Sequence, residues 1–111
     1  MDYRELTADY AVSGQITPEQ IAEVKAAGFR SVICNRPDDE QPGQPPAASV
    51  QQAAEAAGLE FRYIPVISGQ IAPGDVDAMA EALDSLEGPV FAYCRSGARC
   101  TNLHAMVQGR R

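Results

Sequence analysis

The chain is expected to fold as an α/β protein, a three-layer sandwich with a mainly parallel sheet of four to five strands and helices on both faces. Three observations predict this. Short apolar runs at Tyr10–Val12, Phe29–Cys34, Leu59–Val66 and Pro89–Tyr93 alternate with segments of helical periodicity, and that alternation implies parallel strands joined by right-handed crossovers. Gly28, Gly58 and Gly88 each stand between a helical segment and the next strand, where a left-handed residue ends a helix. The length, 111 residues, suits one core and not two, so residues 1–111 read as a single domain.

Each element has its own signal. Tyr10–Val12 is a first strand closed by Ser13-Gly14. Thr17 then reads as an N-cap, Pro18 as the first helical residue and Gln20 as the partner in a capping box, with Ile16 and Ile21 placed for a hydrophobic staple. Phe29–Cys34 is the second strand. Pro37 to Pro46 holds four prolines and three acids, a composition that predicts an ordered loop. Val50, Ala53, Ala54 and Ala57 mark a weakly apolar helix face, and Leu59–Val66 is the third strand. Val76, Met79, Ala80, Leu83 and Leu86 form the clearest helical stripe. Pro89–Tyr93 is the fourth strand, and the last helix starts at Ala98 or Arg99.

Composition narrows the functions. A hydrophobic content of 45% with 22% charged residues belongs to an ordinary globular protein. No stretch has the apolar length of a membrane span, and Met1-Asp2-Tyr3-Arg4 opens no signal peptide. Three cysteines cannot all pair within the chain, so free thiols and a cytoplasmic location are expected. A net charge of −6 argues against nucleic acid, whose binding rests on phosphate neutralisation. The spacing of Cys100 and His104 allows a pair of metal ligands, but no further pair accompanies them. No metal and no cofactor are expected.

Chemistry concentrates at Cys94-Arg95-Ser96-Gly97-Ala98-Arg99-Cys100. An apolar strand ends in a cysteine, a short loop follows, and a helix starts. That order aims backbone N–H groups and a positive helix end at one point. A cysteine there is expected to ionise near neutral pH, since comparable sites lower a thiol from about 8.5 to roughly 3.5–7.5. Arg99 offers a planar fork of donors to an anion, and Arg95, Ser96, Gly97, Ala98 and Cys100 complete an anion-binding loop. Ligands of open parallel sheets bind outside the carboxyl ends of strands. Two further strand ends, Cys34-Asn35-Arg36 and Ile67-Ser68-Gly69, therefore supply supporting residues: Asn35, Arg36 and Ser68.

These residues resemble the cysteine-dependent protein phosphatases of the dual-specificity branch. More closely, about Tyr10 to Val107 resembles the phosphatase-like domain of beta-lactamase hydrolase-like proteins. The marks are Val12-Ser13-Gly14-Gln15-Ile16, Asn35-Arg36-Pro37-Asp38 with Gln41-Pro42-Gly43-Gln44-Pro45, Ile64-Pro65-Val66, and Cys94-Arg95-Ser96-Gly97 with Arg99. The resemblance implies a protein tyrosine phosphatase-like fold, with Cys94 as nucleophile and Arg99 as oxyanion binder. It also implies a functional link to metallo-hydrolase domains of the persulfide dioxygenase type, to which members of the family are fused.

Three departures bear on mechanism. Four residues separate Cys94 from Arg99, one fewer than in the phosphatases and similar to rhodaneses, which carry sulfane sulfur on a cysteine. Ile67-Ser68-Gly69 stands where the phosphatases place a general-acid aspartate. Tyr93 and Cys100 replace a histidine and a hydroxyl residue. Asp38, Asp39 and Asp75 are the carboxylates that could fold over the site as a substitute acid, Asp38 and Asp75 foremost. Two enzyme readings follow: a hydrolase of small phosphate esters through a phosphocysteine, and a sulfurtransferase with a persulfide on Cys94. A non-catalytic anion-sensing or partner-binding domain is the third. The substrate expected is a small oxyanion or a persulfide.

Overall fold

A computed structural model describes residues 1–111. The chain order is β1 (Arg4–Thr7), β2 (Tyr10–Ser13), a 3₁₀ turn (Pro18–Gln20), α1 (Ile21–Ala26), β3 (Ser31–Cys34), α2 (Ala47–Ala56), β4 (Glu60–Tyr63), α3 (Pro73–Ser85), β5 (Val90–Tyr93) and α4 (Ala98–Gly109). The five strands form one sheet in the order β1-β2-β5-β3-β4. All neighbours are parallel except β1 and β2, which pair antiparallel. The architecture is the expected α/β one.

The alternation of side chains along the strands builds two cores. Tyr10, Val12, Ile33, Val90 and Ala92 meet Val76, Met79 and Ala82 of α3 and Leu103 and Val107 of α4. Ala11, Val32, Phe91 and Tyr93 face the other way, onto Ile21 and Val24 of α1 and Ala47, Val50 and Ala54 of α2. Residues one apart on a strand point to opposite faces, so a sheet covered on both sides needs apolar residues at nearly every position. β5 shows the result: all four of its residues are buried.

The differences from expectation lie at the edges. β1 was not anticipated, because Arg4-Glu5-Leu6-Thr7 is mostly exposed and shows no apolar alternation. It pairs with β2 on one side only, as an edge strand does, with Leu6 packed against the core and Arg4 Nη2 donating to Thr101 Oγ1 at 3.3 Å. The third strand is shorter than Leu59–Val66, although Ile64 and Val66 still donate to the carbonyls of Cys34 and Asn35 at 2.9 and 3.0 Å. The helix announced at Thr17 begins as the 3₁₀ turn. There Gln20 Oε1 accepts from the Thr17 amide at 2.9 Å, and Ile16 and Ile21 are both buried.

One feature of the register positions function. Tyr93 lies opposite Ser13 on one side and Cys34 on the other. The segments that follow these three residues therefore leave the sheet side by side at its carboxyl edge, with β5 in the middle. The chain passes from β2 to β3 over the place β5 later fills, so the strand order reverses there and a crevice opens.

Candidate active site

Cys94 is the first residue past β5. Its amide donates to the Ser13 carbonyl at 3.2 Å, and the residue is 1% exposed. The chain then turns back over its sulfur. Gly97 takes a left-handed conformation (φ +91°) as the N-cap of α4, which a side chain would strain. That turn brings its N–H to 3.1 Å from Cys94 Sγ. Gly14 serves the same loop from the neighbouring strand: a Cβ there would lie 3.0 Å from the Arg95 carbonyl oxygen, so only glycine lets the two backbones approach. The Cys94 thiol is held down at about 5. The largest cause is the Cys100 thiol hydrogen-bonding to it; burial opposes, and the amides of Cys100, Ser96 and Arg99 add to the lowering. Burial pushes the Cys34 thiol up instead. Cys100, fully buried, is pushed well above the ordinary thiol range by burial and then by the Cys94 sulfur beside it, so it stays protonated and can donate.

Arg99, 7% exposed, lies in the first turn of α4. A guanidinium has five N–H donors, and three are committed. Nη1 donates to Glu40 Oε2 at 2.7 Å and to the Val66 carbonyl at 2.8 Å. Nη2 donates to Glu40 Oε1 at 2.8 Å. Glu40 thus fills the end of the fork. The Nε–H and the second Nη2–H, which share the adjacent edge, stay free for an anion. Glu40 also accepts from Arg36 Nε at 3.0 Å. Arg36 is 2% exposed, and its other donors reach Gln15 Oε1 at 3.0 Å and Gln41 Oε1 at 3.2 Å. Between two arginines the Glu40 carboxyl is held at about 2, through the Arg99 hydrogen bonds first and, with burial opposing, those of Arg36. It is a permanent anion.

A shallow cleft of about 320 Å³ joins Arg99, Arg95, Ser96, Ala98, Ser68 and Glu40. The loop after β5, Ser68 from the turn after β4 and Glu40 from the loop after β3 therefore border one cleft, which holds Arg95 and Arg99. Comparison with known proteins gives this arrangement a family. The phosphatase-like domain of beta-lactamase hydrolase-like proteins matches residues 2–110. The chain belongs to that family. It is 38% identical over 98 residues to the beta-lactamase hydrolase-like protein of Xylella fastidiosa, covering 88% of this chain and 23% of that protein. The chain thus spans about a quarter of the length of the curated relatives it matches. A solved structure of a candidate phosphatase from Neisseria meningitidis superposes with a TM-score of 0.87 at 34% identity, over 95% of this chain and 75% of that one. Tk-PTP, at 17% identity, superposes with a TM-score of 0.68 over 86% of this chain and 62% of that one. The fold of this phosphatase-like domain is therefore that of the protein tyrosine phosphatases.

The remaining residues singled out from sequence fall into two groups. Asn35 is buried beside the domain's loop and donates from Nδ2 to the Ile64 carbonyl at 3.0 Å, while its amide donates to the Tyr93 carbonyl at 2.9 Å. It ties three strand ends together. Asp38 and Asp75 do not line the cleft. Asp38 Oδ1 accepts from the Ala47 amide at 2.8 Å, at the start of α2, and Asp75 Oδ2 accepts from the Ala72 amide at 2.9 Å, at the start of α3. Both cap helices. Cys100 turns inward to Cys94, and His104 stacks on Tyr10 with ring centroids 4.4 Å apart, so the two do not converge as ligands. A larger hollow of about 480 Å³, bordered by Asp9, Gly88, Val90 and His104, lies at the other end of the strands and is lined by no cysteine. The residue sequence reasoning missed is Glu40. Its signal was present, an acid inside the Pro37–Pro46 loop two positions after Asp38, but nothing in the spacing connects it to Arg99 across 59 residues.

Proposed function

We propose that this phosphatase-like domain is a cysteine-dependent hydrolase of small phosphate esters, with Cys94 as nucleophile. The observation that carries the reading is the Cys94 sulfur turned under the loop, with the Gly97 amide 3.1 Å away and the thiol lowered to about 5, near the guanidinium of Arg99. The Cys94 thiolate attacks phosphorus as the P–O bond to the leaving group breaks, and the leaving oxygen takes the bonding pair. The loop amides and Arg99 hold the equatorial oxygens. Water then attacks the phosphocysteine, releasing inorganic phosphate and restoring the thiolate.

The cleft shapes which esters react. Its one carboxylate, Glu40, is locked as an anion between arginines and has no proton to give. General-acid help contributes typically about 10²–10⁴ in rate, so esters with acidic leaving groups, such as aryl phosphates, are favoured over alkyl ones. Arg95 adds a selecting charge. It is exposed at the cleft and is the one lysine or arginine with neither a side-chain hydrogen bond nor an ion pair, placed to meet an anionic substrate as it enters.

The absence of a proton donor also favours a second reading, sulfur transfer, in which Cys94 takes a sulfane sulfur from thiosulfate or a persulfide and expels sulfite or a thiolate. These leaving groups need little protonation. Parallel assays decide between the two. The expected result is Cys94-dependent hydrolysis of an aryl phosphate that is abolished in Cys94→Ser. Persulfide formation on Cys94 without measurable phosphate release would overturn the hydrolase reading in favour of the transferase. Tungstate binding with neither activity would leave an anion-binding domain.

A further inference from the structure

We propose that Glu40, itself held by Arg36, is a positioning residue that presents Arg99 to the anion by a single edge. The inference rests on the reading of Cys94 and Arg99 as an oxyanion site and adds a part to it. The donor count carries it. With the fork end occupied by Glu40 and the rear Nη1–H by the Val66 carbonyl, the guanidinium cannot rotate about its stem without breaking three hydrogen bonds. Only the Nε–Nη2 edge remains, on a side chain near enough to Cys94 for that sulfur, after Glu40, to favour the charged guanidinium against the opposing effect of burial.

The same carboxylate could instead be read as an anion standing in the substrate's place, to be displaced on binding. The loop argues against that. The Glu40 amide donates to Gln44 Oε1 at 3.2 Å, and Gln44 Nε2 donates to the Pro37 carbonyl at 2.9 Å. The Asp38 amide donates to the Tyr63 hydroxyl at 3.0 Å, and the Asp38 carboxylate caps α2. Arg36 is anchored in turn by Gln15, whose own amide donates to the Arg95 carbonyl at 3.4 Å. The chain Gln15–Arg36–Glu40–Arg99 therefore starts and ends on the anion-binding loop, and Glu40 is fixed within it. This also gives a use to the Asn35-Arg36-Pro37 segment, whose arginine is too buried to touch substrate.

The two roles predict opposite signs. Removing a negative charge beside an anion site strengthens anion binding unless that charge was organising the site. The experiment measures protection of Cys94 from iodoacetamide by tungstate, in the wild type, Glu40→Gln and Glu40→Asp. Positioning predicts tungstate affinity weakened by about tenfold or more in Glu40→Gln, since small misplacements of a binding group are costly, with a lesser loss in Glu40→Asp. The alkylation midpoint of Cys94 should stay near its wild-type value in both, because its thiolate is held by the loop and Cys100. Equal or tighter tungstate binding in Glu40→Gln overturns the proposal. If Glu40→Gln does not fold, Glu40→Asp decides it, since that variant keeps the charge and moves only its place; unchanged affinity there overturns the proposal equally. Failure of tungstate to protect wild-type Cys94 would instead count against the oxyanion-site reading itself.

Discussion

The loops that leave β3 and β5 stand side by side at one edge of the sheet and are built by opposite means. The loop after β5 is short and made of backbone: amides of Ser96, Gly97, Arg99 and Cys100 close on one sulfur, and a glycine supplies the turn. The loop after β3 is long and made of side chains: Arg36, Asp38, Glu40 and Gln44 each reach a partner that fixes its course. The difference teaches where chemistry and orientation are divided. Backbone donors cannot move relative to the strand and helix that carry them, so they suit the reacting centre proposed at Cys94. Side-chain networks can span distance, so they suit the positioning of Arg99 proposed for Glu40.

The largest test of that division is Arg99→Lys. An ammonium keeps the charge, and can keep one bond to Glu40, but has no planar fork. It cannot satisfy Glu40 and Val66 while offering a second edge to the anion. Turnover is expected to fall by about 10²–10³, the cost of an oxyanion donor, with the melting temperature measured alongside to show that the fold persists. Near wild-type turnover would mean that the loop amides alone hold the anion.

How much of this was legible in sequence follows the same line. The β5 loop is readable because its parts are adjacent: strand end, cysteine, glycine and arginine lie within seven residues, Tyr93 to Arg99, and each has a fixed consequence for the backbone. The parallel sheet was readable for the same reason, from runs such as Val90-Phe91-Ala92-Tyr93 that only a doubly covered strand needs. The role of Glu40 was not, because an exposed-looking acid in a proline-rich loop gains its meaning only when β3 is placed beside β5. Asp38 and Asp75 are acids by residue type, yet each spends its carboxylate on an amide at the start of a helix, Asp38 on Ala47 and Asp75 on Ala72. The edge strand β1 was missed since its residues carry no burial pattern and its bonds lie on one side only.

A test of intermediate size addresses the backbone loop. Iodoacetamide labelling of Cys94 should rise as pH rises through about 5 and level off above it, because the thiolate is the reactive form. Cys34, raised by burial, should lag until well above neutral pH. Since the Cys100 thiol is the largest cause of the lowering, Cys100→Ala should move the Cys94 midpoint up towards the ordinary thiol range, a charge-assisted hydrogen bond being worth about 1.5–3 kcal/mol. Cys100→Ser, which restores a donor, should move it back. A midpoint unchanged in Cys100→Ala would assign the lowering to the amides alone.

The smallest expected effect is at Asp38, where two substitutions separate capping from proton donation. Asp38 Oδ1 accepts the Ala47 amide at the start of α2, and a carboxylate there also complements the helix dipole. Asn caps about as well as Asp, whereas Ala does not, at a cost of about 0.5–2 kcal/mol. Asp38→Ala should therefore lower the melting temperature by several degrees, a loss of about 1 kcal/mol corresponding to roughly 4–8 °C in a domain near this size. Asp38→Asn should leave the melting temperature near that of the wild type and turnover within a few-fold of it, because the cap survives and Glu40 keeps its tie to Gln44. A general acid would behave the other way round: Asp38→Asn would retain stability and lose about 10²–10⁴ in rate, most severely for alkyl esters. Measuring both variants on aryl and alkyl phosphates thus asks whether the loop after β3 contributes only position, or a proton as well.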